Sequence, residues 1–75
     1  MNQILKQLAY ALSLSRDDIR EIFELGGRKT SKSEVMAFTL GENHRLYRAL
    51  NYETLIQFVN GLVKLKRKEL TDGER

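Results

Sequence analysis

The stretch SRDDIREIFELGGRKTSKSEV, Ser15 to Val35, carries the signals that decide the fold. Its first residue is followed three positions later by Asp18, which is the spacing of a helix N-cap with an acidic residue on the positive end of the helix dipole. Apolar side chains then recur at helical spacing until Gly26 and Gly27, which supply the positive φ that ends a helix. The core-facing stripe of this helix is predicted to consist of Ile19, Ile22 and Phe23.

A second helix is predicted directly after the glycine turn. Ser31 and Glu34 have the spacing of a capping box, so this helix begins near Lys32. Two helices joined by a turn are the layout of a DNA-reading helix-turn-helix, but the turn GGRKTS exceeds the about three or four residues of that motif. The helix continues as VMAFTL, whose large apolar side chains do not suit contact with base edges. Because its own apolar side chains lie on nearly all sides of this helix, we expect a central, buried helix.

The pattern on both sides of this stretch is helical, and no proline interrupts it. Near the N-terminus an apolar stripe within about 120° predicts a helix with Asn2 on its polar side. Gly41 ends the third helix, a short helical turn follows within residues 42–50, and Asn51 caps the last helix. The core-facing residues of the first helix are predicted to be Ile4, Leu5, Leu8, Ala11 and Leu12.

These elements together predict an all-α fold, a compact bundle of four main helices with a short extra helical turn before the last helix. Residues 1–70 are expected to form a single helical domain and residues 71–75 a flexible C-terminal tail. The length of 75 residues suits one domain.

The composition narrows the classes of function. The chain has no cysteine and a single histidine, His44, so neither a disulfide nor a cysteine metal site can form. We see no nucleophile paired with a base and no tuned carboxylate pair, and therefore predict no enzyme, catalytic residue, cofactor or metal. The longest strictly apolar run, Leu8 to Leu12, is too short to cross a membrane, so we expect a cytoplasmic protein without membrane contact.

Apolar side chains in the last helix spread over about half of the circumference, which is wider than a core stripe requires. A small domain without disulfides is marginally stable, and burial of a surplus face against a second copy would stabilise it. Gly61 costs about 1 kcal/mol in mid-helix relative to Ala, which favours the close approach of another backbone, with Asn60 exposed. We therefore predict a homodimer or a complex with another protein. The candidate interface residues are Tyr52, Ile56, Val59, Gly61 and Val63.

A nucleic-acid-binding module with a degenerate helix-turn-helix-like arrangement is the alternative interpretation. The chain has 13 Lys and Arg against 10 Asp and Glu, a formal net charge of +3, which permits phosphate binding without requiring it. Cations occur at the start of the third helix and again near the end of the last one, where they also offset the helix dipole. The candidate contacts are Arg28, Lys29, Lys32, Lys64, Lys66, Arg67 and Lys68.

Four segments, NQILKQLAYAL, DDIREIFELGG, SKSEVMAF and FVNGLVKLKR, occur in an order that resembles the repeat unit of the bacterial YehS-like family, domain of unknown function 1456. The resemblance extends from Asn2 to about Arg67. It implies an all-helical unit and brings no known activity or catalytic residue. Similar members usually contain the unit twice, whereas this chain has one copy, and Lys68 stands where a glycine is expected. A symmetric homodimer would restore the contact between two copies.

Overall fold

A computed structural model describes the backbone of residues 1–73 and the side chains of residues 1–68. This part of the chain folds into four α-helices and contains no strand, which confirms the predicted all-α bundle of four main helices. The helices are α1 (Asn2–Ala11), α2 (Arg16–Leu25), α3 (Lys32–Thr39) and α4 (Tyr52–Gly73).

The second helix is the centre of the arrangement, because it packs against both α3 and α4, while α1 packs against α3. The fourth helix has 22 residues, against 10 in α1 and in α2. It continues through residues 71–73, the first part of the segment predicted to be a flexible tail. Residues 74–75, the rest of that segment, lie outside the described residues, so the tail stays a prediction.

Local sequence signals fix both ends of α2. The Ser15 hydroxyl accepts a hydrogen bond from the Asp18 N–H at 3.1 Å, and the Asp18 carboxylate accepts one from the Ser15 N–H at 2.9 Å. The predicted N-cap is confirmed, and the two reciprocal hydrogen bonds make it a capping box. At the other end, Gly27 has a φ of +93°, and the Arg28 N–H donates to the Phe23 carbonyl, as in a Schellman motif. Capping therefore defines the boundaries of α2 independently of its packing.

The hydrophobic core forms where α2 meets its neighbours, and its centre is aromatic. The ring of Phe23 lies 6.0 Å from that of Phe38 on α3 and 5.2 Å from that of Phe58 on α4, measured between centroids. These tilted contacts connect three helices through one side chain of α2. The buried apolar residues are Leu5, Ile19, Ile22, Phe23, Val35, Phe38, Leu50, Leu55 and Phe58.

Two glycines let α2 and α4 cross at very short distance. A Cβ atom on Gly61 would overlap the carbonyl oxygen of Ile22, and a Cβ atom on Gly26 would overlap the carbonyl oxygen of Gln57. Each helix thus places a glycine against the backbone of the other, and Asn60 is exposed. The predicted close approach of a backbone at Gly61 is confirmed, and that backbone belongs to the same chain.

The polar side chain of Asn2 joins three parts of the fold. Its Nδ2 donates to the carbonyl oxygens of Phe38, at 2.9 Å, and Arg48, at 2.8 Å, and its Oδ1 accepts from the Leu50 N–H at 2.8 Å. Only 6% of Asn2 is exposed. Its placement on the polar side of α1 was wrong, because these hydrogen bonds satisfy the amide inside the protein.

Turning Asn2 inward rotates the rest of α1 away from its predicted orientation. Of the predicted stripe only Leu5 is buried, whereas Ile4, Ala11 and Leu12 are exposed. The predicted core face of α1 was therefore wrong for most of its members.

The connection between α3 and α4 places the start of the last helix. Two successive turns lie where a short helical turn was predicted, one closed by the His44 N–H on the Gly41 carbonyl and one by the Tyr47 N–H on the His44 carbonyl. The chain then reaches Asn51, whose side chain accepts from the Thr54 N–H at 2.8 Å. This hydrogen bond confirms the predicted N-cap of α4 at Asn51.

Candidate functional site

The fourth helix carries an exposed apolar stripe, here termed the α4 face, which consists of Tyr52, Ile56, Val59 and Val63. The residues are separated by four, three and four positions, which places them within an arc of about 60°. Tyr52 is 63% exposed, Ile56 36% and Val63 51%, and Val59 is half-buried. The core residues Leu55 and Phe58 of α4 lie on another side of the helix, and no member of the α4 face belongs to the buried core cluster.

Gly61 does not belong to the α4 face, although the sequence analysis placed it in the candidate interface. It is buried, and its Cα faces the backbone of Ile22 and Gly26 on α2. The reason is geometric, because a position two residues from Val63 or Val59 is about 200° away around a helix. The close approach that Gly61 permits is internal, and a second chain has no access to it.

The three members of the first predicted basic cluster, Arg28, Lys29 and Lys32, have different neighbours. Arg28 turns to α3, where its Nη2 lies 3.0 Å from Oε2 of Glu34. Lys29 lines a depression beside α2 that also contains Arg20. Lys32 lines a different depression at the start of α2, which it shares with Arg16. The three candidate phosphate contacts therefore have three different surroundings.

The second predicted cluster lies along one end of α4, and its four members are exposed: Lys64, Lys66, Arg67 and Lys68. Lys66 also lines a depression with Leu12 of the N-terminal segment and Leu65 of its own helix. None of the depressions lined by the first cluster contains Lys66. The depression that Lys66 lines is thus a different one from those lined by Lys29 and Lys32.

A groove of about 810 Å³ separates α3 from the segment that follows it, and is here termed the α3 groove. One wall is the exposed side of α3, with Ser33, Met36 and Ala37, and the other wall is formed by residues 45–48. The walls are joined through the backbone, because the Arg48 N–H donates to the Ala37 carbonyl at 3.1 Å. The position of this groove is therefore set by the fold.

Two arginines of the α3 groove were not among the sequence candidates. Arg45 is exposed, and Arg48 extends along the groove, where its Nη1 lies 3.2 Å from Oε2 of Glu34. The same carboxylate oxygen accepts from Arg28. The signal that could have indicated them is the run HRLYR, residues 44–48, in which a leucine and a tyrosine lie between two arginines within one short loop.

Glu34 explains why the capping box predicted for α3 is only half formed. The Ser31 hydroxyl accepts from the Glu34 N–H at 3.1 Å, but the Glu34 carboxylate binds the two arginines instead of the Ser31 N–H. Charged donors form stronger hydrogen bonds than a neutral amide. The Glu34 side chain, which was predicted to cap α3, thus connects the α2–α3 loop to the α3 groove.

The third helix is less buried than its composition predicts. Val35 and Phe38 face the core, whereas Ser33 is exposed and Met36 and Ala37 are half-buried. The prediction of a helix buried on all sides was wrong, because α4 packs mainly against α2 and leaves one side of α3 uncovered. This uncovered side is the wall of the α3 groove.

The single histidine has a local structural contact. His44 is exposed, and its Nδ1 accepts a hydrogen bond from the Leu46 N–H at 3.1 Å, which fixes the loop that carries Arg45. Among the described residues, no three His, Cys, Asp or Glu side chains lie close enough together to hold a metal ion. In the same part of the chain no helix combines the length and the apolar character needed to span a membrane.

Comparison with known proteins gives one result. A family model with the description "Protein of unknown function (DUF1456)" matches residues 1–68 of the chain. No curated protein and no solved structure matches it.

Proposed function

The chain belongs to the DUF1456 family, and we propose that it is a non-enzymatic helical module that acts by binding another polypeptide, in the first place a second copy of itself. The family match confirms the resemblance to domain of unknown function 1456 and brings no assigned activity. The relation of this chain to a tandem of two units stays a prediction. The proposal therefore depends on the surfaces of the chain itself.

The observation that carries the proposal is the α4 face. Large apolar side chains stand exposed on a helix of 22 residues, which is about 33 Å long. Their spacing of four, three and four positions is that of a coiled-coil seam, which packs against another helix. Each Å² of apolar surface that such packing removes from water contributes about 25 cal/mol. Tyr52 adds an aromatic side chain of the kind enriched in interfaces.

A second copy fits the α4 face better than an arbitrary partner does. In an antiparallel pair of α4 helices related by a two-fold axis, Tyr52 of one copy lies opposite Val63 of the other, and Ile56 lies opposite Val59. Each larger side chain then meets a smaller one, so the stripe is complementary to itself. Such an isologous contact closes at two copies and needs no other component. A homodimer is therefore the simplest way to cover this face.

The test measures molar mass by light scattering over a concentration series at low and at high salt. We expect a dimer at both salt concentrations, because apolar contacts are not screened by ions. The variant Val63→Glu should shift the mass to that of a monomer. Leu46→Glu is the matched control, because Leu46 is 53% exposed against 51% for Val63 but lies outside the α4 face, and it should remain dimeric. A strictly monomeric wild-type chain at high micromolar concentration would refute the proposal.

Nucleic-acid binding is the second candidate function, and the cations exposed along the end of α4 favour it. Contacts of this kind release counterions, so binding should weaken steeply as salt is raised. The ratio of absorbance at the nucleic-acid and protein maxima during purification provides the test. A monomer that carries nucleic acid until salt is raised would place this candidate first. Both proposed functions are compatible with the cytoplasmic location that we expect from the sequence.

A further inference from the structure

We infer that the α3 groove is a binding site for an acidic peptide segment that carries an apolar side chain. The groove combines cations and apolar side chains in one depression of about 810 Å³, formed by two walls that the backbone holds together. It shares no residue with the α4 face, so the inference does not depend on self-association.

Charge is the first feature that selects the ligand. Arg45 and Arg48 both line the groove with exposed side chains. The carboxylate in the groove, Glu34, is already bound by Arg48 and by Arg28, and only 17% of its side chain is exposed. Glu34 therefore balances charge beneath the surface and leaves the guanidinium group of Arg45 available at the rim. A guanidinium group pairs with a carboxylate through two parallel hydrogen bonds, which is the arrangement that an acidic peptide side chain offers.

The apolar part of the groove is the second feature. Met36 and Ala37 form one side and Leu46 and Tyr47 the other. Leu46 exposes a large apolar side chain next to the two arginines, on a loop that the His44 contact and the backbone turns hold in place. A peptide side chain inserted here would cover Leu46 and Met36 together. Sites of this type obtain affinity from the apolar anchor and orientation from the charged rim.

The distribution of cations favours a peptide over a nucleic acid. Strands of nucleic acid bind along a continuous basic track, in which several phosphates are neutralised in succession. The α3 groove offers two arginines, and the nearby cations Lys29 and Lys32 line separate depressions. The available guanidinium group of Arg45 beside the apolar walls matches a short segment with a carboxylate and a hydrophobic residue.

The experiment is a titration of the isotope-labelled full chain, followed by backbone amide signals in NMR, with a short blocked peptide of alternating glutamate and leucine as the probe. Two comparison peptides replace glutamate by glutamine or leucine by alanine. We expect the probe to shift the amide signals of Ser33, Ala37, Leu46 and Tyr47. A solvent-exposed ion pair such as the one expected on Arg45 changes affinity by roughly two- to fivefold, so the glutamine peptide should bind more weakly by about that factor. The alanine peptide should also bind more weakly, because it lacks the apolar anchor.

Variants of the protein separate the groove from general charge attraction. Arg45→Gln should weaken binding of the probe roughly two- to fivefold, and Leu46→Ala should weaken it as well. Lys64→Gln removes the same unit of charge from α4 and should leave the affinity unchanged. Equal weakening by Arg45→Gln and Lys64→Gln, or the absence of shifts in the groove, would overturn the inference. An oligothymidylate that displaces the probe from the same residues with higher affinity would overturn it in favour of nucleic acid. Binding by a chain that light scattering shows to be monomeric would support it and refute self-association separately.

Discussion

The variant Gly61→Ala tests the crossing of α2 and α4 by the sign of its effect on stability. Helix propensity alone favours Ala over Gly by about 1 kcal/mol in mid-helix. Against this gain, the added Cβ overlaps the carbonyl oxygen of Ile22. Overpacking of this kind costs about 1–3 kcal/mol, and a backbone carbonyl has no alternative rotamer, so we take the upper half of that range. The net expectation is that the free energy of unfolding falls by about 1–2 kcal/mol.

The assay is chemical and thermal unfolding of both proteins at one protein concentration, because self-association would make the midpoint depend on concentration. A loss of about 1–2 kcal/mol lowers the Tm of a domain of this size by roughly 4–16 °C. The matched control is Asn60→Ala, at the neighbouring position on the same helix. Asn60 is exposed, so the control should be neutral or slightly stabilised, by at most about 0.7 kcal/mol.

Gly61→Ala should also leave the oligomeric state of the folded chain unchanged, because Gly61 faces α2 and not the α4 face. This second measurement separates a role inside the chain from a role between chains. If the free energy of unfolding of Gly61→Ala rises by about 1 kcal/mol, the full gain in helix propensity, the added Cβ causes no overpacking and the close approach of the two helices is refuted. A stable but monomeric variant of a dimeric wild-type chain would refute the internal assignment of Gly61.

Further variants test the other contacts that hold the fold. Asn2→Ala removes three hydrogen bonds, two of them buried and one partly buried. Each is worth about 1 kcal/mol and more where a buried partner is left unsatisfied, so urea unfolding should show a loss of about 3 kcal/mol or more; a loss near zero would contradict the buried amide. Ser13→Gly should raise stability by up to about 1 kcal/mol in thermal unfolding, because Ser13 has a φ of 53° that glycine adopts without strain. Glu34→Gln should cost at most about 1 kcal/mol, since Glu34 pairs with partly exposed arginines, and a much larger loss would show that those ion pairs hold the loop.

The sequence predicted features that depend on nearby residues and missed those that depend on distant ones. The N-cap at Ser15 and the positive φ of Gly27 are decided within a few residues, and both are confirmed. Asn2, in contrast, is buried because its side chain reaches backbone groups 36 to 48 positions away. A prediction from hydrophobic periodicity counts every asparagine as polar. It cannot identify an asparagine that is buried because the protein satisfies all its hydrogen bonds. The face of α1 was wrong for this reason.

The candidate site shows the same division between local and distant signals. The α4 face lies on one helix, so the spacing of its apolar residues could be read from the sequence. The α3 groove joins a helix to a loop, and Arg45 became a candidate only when the fold placed it opposite Met36. Gly61 was correctly predicted to approach a backbone, but the sequence could not say whose. Which chain a helix face meets is decided by the arrangement of helices and not by periodicity.

The residues that carry the family resemblance have mostly structural roles, and this limits what membership says about function. Asp18 caps α2, Gly26 and Gly61 permit the crossing of α2 and α4, and Asn2 connects α1 to two other segments. Proteins that share these residues are expected to share the contacts that hold the fold, whatever they bind. Asn60 differs, because it belongs to the same motifs but is exposed. It lies three positions before Val63 and four after Ile56, at the border of the α4 face, so the proposed dimer would place its amide beside the second chain.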